Sequence, residues 1–118
     1  MLYKSVSISE KDAKVLGKEF EINYKVVPFK EWHYSLNVEL EHGSKFGILT
    51  NITNDSYEMT AKIAIAHLLE DPRYYYYLKK MEASRDKYWE AKGTPKPSIF
   101  ISPKKYSKTK ITSKKIIH

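Results

Sequence analysis

Two histidines in this chain stand three residues away from a glutamate, a spacing that suits metal binding. Glu39 and His42 form a Glu-x-x-His motif, and His67 and Glu70 form the reversed motif. Residues three apart share one face of a helix, and ferritin-like carboxylate proteins use this spacing to place two ligands on a metal. The candidate ligands for a divalent metal are His42, His67, Glu39, Glu41, Asp55 and Glu70.

These residues support two interpretations. Imidazole and carboxylate ligands suit iron, manganese or zinc, and a bound metal would acidify water for hydrolysis. Alternatively, a helical wheel places His67 in an apolar sector, where a buried imidazole needs a partner such as Glu39, Glu41 or Asp55. We favour this structural polar clasp, because a short spacing motif alone is weak support for a metal.

The sequence contains no motif for any other type of catalysis. The chain has no cysteine, which excludes disulfides, thiolate metal sites and cysteine nucleophiles. Its four glycines form neither a phosphate-binding loop nor a nucleophile elbow. We therefore expect a non-enzymatic protein without a cofactor, and a metal-dependent enzyme is the one enzymatic alternative that stays open.

Basic residues are distributed unevenly along the chain. Residues 1–92 contain fourteen Lys or Arg and fourteen Asp or Glu, which cancel, so the whole net charge of +7 belongs to residues 93–118. Such a tail cannot bury enough apolar surface to offset its ordering entropy, so we expect it to be flexible or ordered by a partner. Its candidate contact residues are Lys96, Lys104, Lys105, Lys108, Lys110, Lys114, Lys115, Phe100 and Tyr106.

The composition of the tail suits an acidic partner. Lysines release counterions from a polyanion, and Phe100 and Tyr106 offer rings to exposed bases. Lysine without arginine argues against base-specific recognition, because arginine makes the bidentate contact to guanine. Nucleic acid and an acidic protein surface both stay open, as do an inert solubilising tail and one that adds residues 99–101 to the sheet of a protein partner.

The elements that position these residues are predicted to be helices. Residues 53–69 are apolar over most of a helical wheel, so we expect them to form the centre of a small all-α domain, covered on several sides. Helical patterns also cover residues 29–42 and 72–92, and a short N-terminal helix begins after Ser9. The fold expected is therefore all-α, with three main helices plus a short first one.

Residues that start or stop helices mark the predicted ends. The signals are Ser9 and Gly17 around the first helix, Gly43 in a left-handed conformation after the second, Thr53 or Asn54 before the central helix, and Pro72 at the first position of the last. Within the last helix, four consecutive tyrosines sweep about 300° and cannot all face the core. The pattern predicts Tyr74 and Tyr77 inside, and Tyr75 and Tyr76 at the surface or filling grooves.

The length of 118 residues suits one domain and a tail. We expect a helical domain over residues 1–92, in which residues 1–8 form an extended arm, followed by the tail of residues 93–118. No apolar run approaches the roughly 20 residues that span a bilayer, and the N-terminus lacks the apolar core of a signal peptide. We therefore expect no membrane association and no secretion, and a place inside a host cell or a virion.

Four sequence blocks together resemble one known family. They are V-E-L-E-H-G at 38–43, T-N-I-T-N-D at 50–55, K-I-A-I-A-H-L-L-E at 62–70 and P-R-Y-Y-Y-Y-L-K-K-M-E at 72–82. Over about residues 9–92 the chain looks like a member of domain-of-unknown-function family 5661, encoded mainly in bacteriophages, large DNA viruses and some bacteria. Ser56 stands where members often carry a second acid. The resemblance implies a viral or phage accessory domain and supplies no site.

These observations give one functional hypothesis and two rivals. We expect a non-enzymatic accessory or structural binding module of a virus or phage, whose neutral domain docks to a protein and whose tail engages nucleic acid or an acidic surface. The first rival is a metal-dependent hydrolase or metal-binding regulator that uses the two His-carboxylate motifs. The second is an inhibitor of a host defence enzyme, which would look the same in sequence.

Overall fold

The computed structural model describes residues 7–93, in which four α-helices form and no β-strand occurs. The helices are α1 (Glu10–Glu19), α2 (Phe29–Glu39), α3 (Tyr57–Glu70) and α4 (Tyr74–Lys92), with single 3₁₀ turns at Leu40–His42 and Ser44–Phe46. The predicted all-α fold is confirmed. No helix in this part of the chain is long and apolar enough to cross a membrane. The candidate tail residues, namely the seven lysines, Phe100 and Tyr106, lie outside the described residues.

The helix at the centre of the domain is α2. It packs against α1, α3 and α4, and its Trp32 and Leu36 are fully buried. The same core cluster contains Ala13 and Leu16 of α1, Ala61, Ala64 and Leu68 of α3, and Tyr75 of α4. Trp32, the largest core side chain of α2, lies against the small residues Ala13 and Gly17 of α1, which lets these two helices approach closely.

The prediction that the apolar helix α3 is the centre, covered on several sides, is wrong. One side of α3 packs on α2 and α4. On the other side Leu69 is 81% exposed, and Met59 and Ala66 also meet solvent. Apolar periodicity overstated the burial, because a good helix former such as alanine also occupies exposed helix positions.

The end of the predicted N-terminal arm is docked on α2. The backbone N–H of Ile8 donates to Asn37 Oδ1 at 2.7 Å, and its carbonyl accepts from Asn37 Nδ2 at 3.1 Å. The same carbonyl lies 2.7 Å from His33 Nε2. Ser9 then caps α1, because its hydroxyl oxygen accepts from the backbone N–H of Asp12. This confirms Ser9 as the predicted N-cap.

Gly17 does not end α1, which continues to Glu19. A Cβ at this buried glycine would collide with the Tyr24 hydroxyl and come within 3.1 Å of Trp32 Nε1. That indole nitrogen is itself fixed, since it donates to the carbonyl of Ala13 at 2.9 Å. Gly17 is therefore a packing residue that lets α1 approach Trp32, and the prediction of a helix stop is corrected.

The two C-terminal helices begin later than predicted. The N-cap of α3 is Ser56, whose hydroxyl accepts a backbone N–H of the first turn, so neither Thr53 nor Asn54 caps this helix. Both of those residues belong to the preceding loop. α4 begins at Tyr74, and Pro72 lies in the turn before it instead of the first helical position.

Candidate functional site

A glutamate is buried at the carboxyl end of α2. Glu39 is 4% exposed and shares a helix face with buried Ser35 and Leu36, because residues three and four apart lie on one side. A carboxylate in such a place needs a hydrogen-bond partner. The Tyr75 hydroxyl, at the start of α4 and fully buried, donates to Glu39 Oε2. This contact joins α2 to α4 inside the domain.

Two histidines approach the same carboxylate from other elements. His42 Nε2, in the 3₁₀ turn after α2, is 3.6 Å from Glu39 Oε1. His67 Nε2, on α3, is 3.8 Å from Glu39 Oε2. Both imidazoles are partly open to solvent. We name Glu39, His42, His67 and Tyr75 the Glu39 cluster, and three of them are candidate ligands from the sequence.

Tyrosine rings pack around His67. Tyr74 stacks on the imidazole with the two ring centroids 4.4 Å apart, and Tyr75 meets it edge-on at 6.1 Å. The sequence prediction for the four tyrosines is wrong at two positions, since Tyr75 is buried and Tyr77 is 53% exposed. Tyr76 is exposed as predicted, and Tyr74 is half-buried. The way α4 docks on α2 and α3 turns Tyr75, and not Tyr77, toward the interior.

The surroundings of Tyr75 keep it a hydrogen-bond donor. Burial, and then the hydrogen bond to Glu39 and its charge, raise the pKa of the Tyr75 hydroxyl far above its ordinary value. Every buried side-chain nitrogen and oxygen within residues 7–93 has a hydrogen-bond partner. In the same range, no group of three or more His, Cys, Asp or Glu side chains is arranged to hold a metal ion. The Glu39 cluster joins α2, α3 and α4 at one carboxylate.

The other candidate ligands lie apart from this cluster. Glu41 is exposed and its carboxylate is 4.0 Å from Lys45 Nζ. Glu70 is the exposed last residue of α3. Asp55 accepts from the Ser44 backbone N–H at 2.9 Å and from the Ser44 hydroxyl at 2.6 Å. The predicted ligand set is therefore divided, and its aspartate organises a loop.

Residues 43–56 form this loop, here called the docking loop, and its two ends are tied together. Besides the contact between Ser44 and Asp55, the His42 carbonyl accepts from the backbone N–H groups of Ile52 at 2.7 Å and Thr53 at 3.3 Å. Thr53 is buried. These bonds fix the loop beside the carboxyl end of α2, next to the Glu39 cluster.

The backbone of the docking loop suits its residue types. Asn54 and Asp55 have φ values of 53° and 64°, in the left-handed region that Asn and Asp enter more easily than other side chains do. Gly43 has a φ of −94°, so the predicted left-handed conformation is wrong. Glycine is needed there because a Cβ would collide with Asp55 Oδ1.

The docking loop presents apolar side chains to water. Ile52 is 70% exposed, and Phe46, Ile48 and Leu49 are also exposed. These four side chains lie within seven residues of one loop, and apolar side chains that are exposed together mark interaction sites on soluble proteins. The sequence predicted a loop here, but it did not reveal how many of these side chains remain exposed after the helices pack.

Comparison with known proteins identifies one family. A family model described as "Protein of unknown function (DUF5661)" matches residues 13–84. The matched range contains the whole Glu39 cluster and the docking loop, and it ends before the tail. No curated protein and no solved structure matches the chain.

Proposed function

The chain belongs to the family described as Protein of unknown function (DUF5661), and from the geometry of its described residues we propose that it is a non-enzymatic binding module. In this proposal the domain docks to a protein through the docking loop, and the lysine tail binds a polyanion. The setting we propose is a virion or replication complex, because the resembled family is encoded mainly by phages and large DNA viruses. The observation that carries the proposal is an apolar loop whose backbone is already tied in place.

The docking loop combines two properties that favour association with a protein. Its hydrogen bonds from Ser44 to Asp55 and from Ile52 to His42 hold the backbone before any partner arrives, so less conformational entropy is lost on binding. Burial of Phe46 and Ile52, which are 55% and 70% exposed, would contribute at most about 1.5–3 kcal/mol each in an interface.

The Glu39 cluster supports the docking loop from below. His42 contributes its imidazole to the cluster and its carbonyl to the backbone of the loop. The buried contact between Glu39 and Tyr75 fixes the preceding turn of α2 against α4. We therefore assign the cluster a positioning role, in which it holds the start of the docking loop and so orients the apolar side chains of the loop.

The lysine tail supplies the second binding activity that we propose. All of the net charge of +7 is carried by residues 93–118, and the preceding residues sum to zero. Lysines on such a segment displace counterions from a nucleic acid, which makes binding salt-dependent. The domain thus selects the location and the tail adds electrostatic affinity.

Two full-length variants test this division of labour. The docking variant carries Phe46→Asp and Ile52→Asp, and the tail variant carries glutamine at the seven tail lysines. A matched control carries Val15→Asp and Val26→Asp, at two other exposed apolar positions. Protein partners from the source cells are cross-linked and identified by mass spectrometry, and DNA and RNA binding is measured over a salt titration.

We expect the docking variant to lose a protein partner that the wild type, the control and the tail variant retain. The tail variant should lose salt-dependent nucleic-acid binding, with the slope of log K against log salt falling by about 0.7 for each single-strand phosphate that the tail no longer neutralises. Retention of all partners by the docking variant would exclude the loop, and an unchanged salt slope in the tail variant would exclude the tail.

A further inference from the structure

Much of the surface of α4 is left uncovered by the other described elements. Of residues 76–93, Leu78 and Trp89 are half-buried and the rest are exposed. A helix advancing about 100° per residue places Tyr77, Met81 and Tyr88 within about 40° of one another, and all three are exposed. We call this side the outer face of α4, and its residues are Tyr77, Lys80, Met81, Arg85, Tyr88 and Lys92.

The outer face of α4 carries cations and no acid, and two further lysines, Lys79 and Lys87, lie on other sides of the helix. Lys80, Arg85 and Lys92 lie within about 80° of the direction of Tyr88 on the helical wheel. The acids of α4 lie at least about 120° from that direction, and they are Glu82, Asp86 and Glu90. The outer face is therefore basic although the domain as a whole is neutral, a division that the total charge concealed.

Cations and tyrosine rings on this face lie close together. The Arg85 guanidinium carbon is 4.3 Å from the centroid of the Tyr88 ring. At the start of α4, the Arg73 guanidinium carbon is 4.4 Å from the Tyr76 ring centroid and 5.5 Å from that of Tyr77. Cation–π attraction holds these charges beside the rings. Tyr77 and Tyr88 thus each lie next to a positive charge.

We propose that the outer face of α4 binds single-stranded nucleic acid. Bases stack on Tyr77 and Tyr88, the phosphates between them contact Lys80 and Arg85, and the phosphate beyond Tyr88 contacts Lys92. Stacking on aromatic side chains beside a positive track is the way proteins bind single strands without reading sequence. This inference rests on the proposed binding function and names its polyanion, with α4 as the place where bases are contacted.

Charge and aromaticity together select this occupant. An acidic peptide would complement the cations but offers no ring for the tyrosines, and the bases of a duplex are stacked inside it and do not reach them. The lysine tail of the same chain has the same sign of charge as the outer face, so it is not a complementary occupant. A single strand satisfies both the rings and the cations.

The test uses the full-length chain and a fluorescent oligothymidine, with binding measured by anisotropy over a salt titration. The stacking variant carries Tyr77→Ala and Tyr88→Ala, and its control Leu69→Ala removes an exposed apolar side chain of α3. The charge variant carries Arg85→Gln and Lys92→Gln, and its control Lys62→Gln removes an exposed lysine of α3. All four sets of positions are solvent-exposed, so the variants should fold.

We expect the stacking variant to bind at least about tenfold more weakly at fixed salt, because one stacked base is worth about 1–3 kcal/mol. The charge variant should lose about 1.4 from the magnitude of the salt slope, at about 0.7 per phosphate on a single strand. Both controls should bind like the wild type. Wild-type affinity in the stacking variant, or equal competition by polyglutamate or duplex DNA, would overturn the inference.

The tail variant separates this inference from the proposed function. If glutamine at the seven tail lysines abolishes binding and the two α4 variants change nothing, the tail has its proposed role and the inference on α4 is wrong. If the α4 variants lose binding and the tail variant does not, the inference holds and the role of the tail is wrong. Absence of wild-type binding to oligothymidine overturns the α4 inference, whatever the tail binds.

Discussion

The carboxylate of Glu39 lies in the domain interior, where an ionised group without partners would be strongly destabilising. The buried hydroxyl of Tyr75 donates to one of its oxygens, and His42 and His67 stand within 3.6 and 3.8 Å of the two oxygens. Removal of one partner from a buried pair costs more than the pair contributes, because the other group keeps its desolvation penalty. We therefore expect the Tyr75 hydroxyl to contribute to the stability of the domain.

Tyr75→Phe is predicted to lower the free energy of unfolding by about 1.5–3 kcal/mol, the value of a hydrogen bond to a charged group. The ring still fills its place in the core, so the loss reports on the hydroxyl alone. Tyr77→Phe, at an exposed ring of the same helix, should change stability by less than about 0.5 kcal/mol. Urea denaturation followed by circular dichroism measures both, and equal stabilities of the two variants would contradict the prediction.

The raised pKa of Tyr75 predicts a loss of stability in alkali. In the unfolded chain this hydroxyl loses its proton near pH 10, and in the folded domain only at higher pH. The contribution of Tyr75 to the free energy of unfolding is fully present below about pH 10. Above that pH the unfolded state binds fewer protons than the folded state, so the free energy of unfolding falls by about 1.4 kcal/mol per pH unit.

Denaturant titrations above about pH 10 should therefore show a steeper fall in the wild type than in Tyr75→Phe. Tyr34, whose pKa is also raised by burial, is present in both proteins and cancels in the comparison. Parallel stability curves would show that the titration of Tyr75 is not coupled to folding.

At this scale the sequence identified some members of the Glu39 cluster and missed one. Glu39, His42 and His67 stood out because helical spacing is a local property. Tyr75 did not, because four adjacent tyrosines cannot be distinguished by residue type. The angle at which α4 docks decides which of the four rings enters the core. A buried Glu39 requires a hydrogen-bond donor, and a search of the sequence for that donor could have identified Tyr75.

The helix at the centre of the domain is the one with the largest buried side chains, and not the one with the most apolar sequence. α2 has a mixed sequence, yet its Trp32 and Leu36 fill the core. α3 is more apolar in sequence, yet Leu69 lies in solvent and its core contribution is small side chains such as Ala61 and Ala64. Helix type and approximate range could be predicted from periodicity, because that signal is local. The partner of each face could not, because it depends on the other helices.

Gly43→Ala is predicted to loosen the docking loop while the four helices remain folded. The added Cβ would collide with Asp55 Oδ1 and lie 3.1 Å from the Asp55 backbone nitrogen, so Asp55 must leave Ser44. We expect a loss of about 1–3 kcal/mol in the free energy of unfolding. The amides of Ser44 and Ile52 should also exchange hydrogen faster.

Hydrogen exchange followed by NMR checks this prediction, with Lys45→Ala as a control in the same loop. Lys45 is exposed, and its truncation leaves the contact between Ser44 and Asp55 in place. Unchanged amide exchange at Ser44 in Gly43→Ala would show that the loop tolerates the methyl group without releasing Asp55.

For the molecule as a whole, sequence composition separates residues 1–92, whose charges cancel, from a basic tail, and the outer face of α4 adds a basic surface within the first part. α4 ends at Lys92 and Gly93 is its C-cap, so the tail follows directly on α4 in the chain. The function could not be read from motifs, because binding surfaces are defined by which side chains packing leaves uncovered. The docking loop and the outer face of α4 became visible only once the fold determined exposure.

The chain has two tryptophans, and the fold gives them different surroundings. Trp32 is fully buried, with its indole N–H on the Ala13 carbonyl. Trp89 is half-buried, and its ring centroid is 5.1 Å from that of Tyr88 on the outer face of α4. The protein therefore carries two intrinsic fluorophores with separate duties. The fluorescence emission of Trp32 reports whether the core is folded. The emission of Trp89 reports the binding of a ligand at Tyr88.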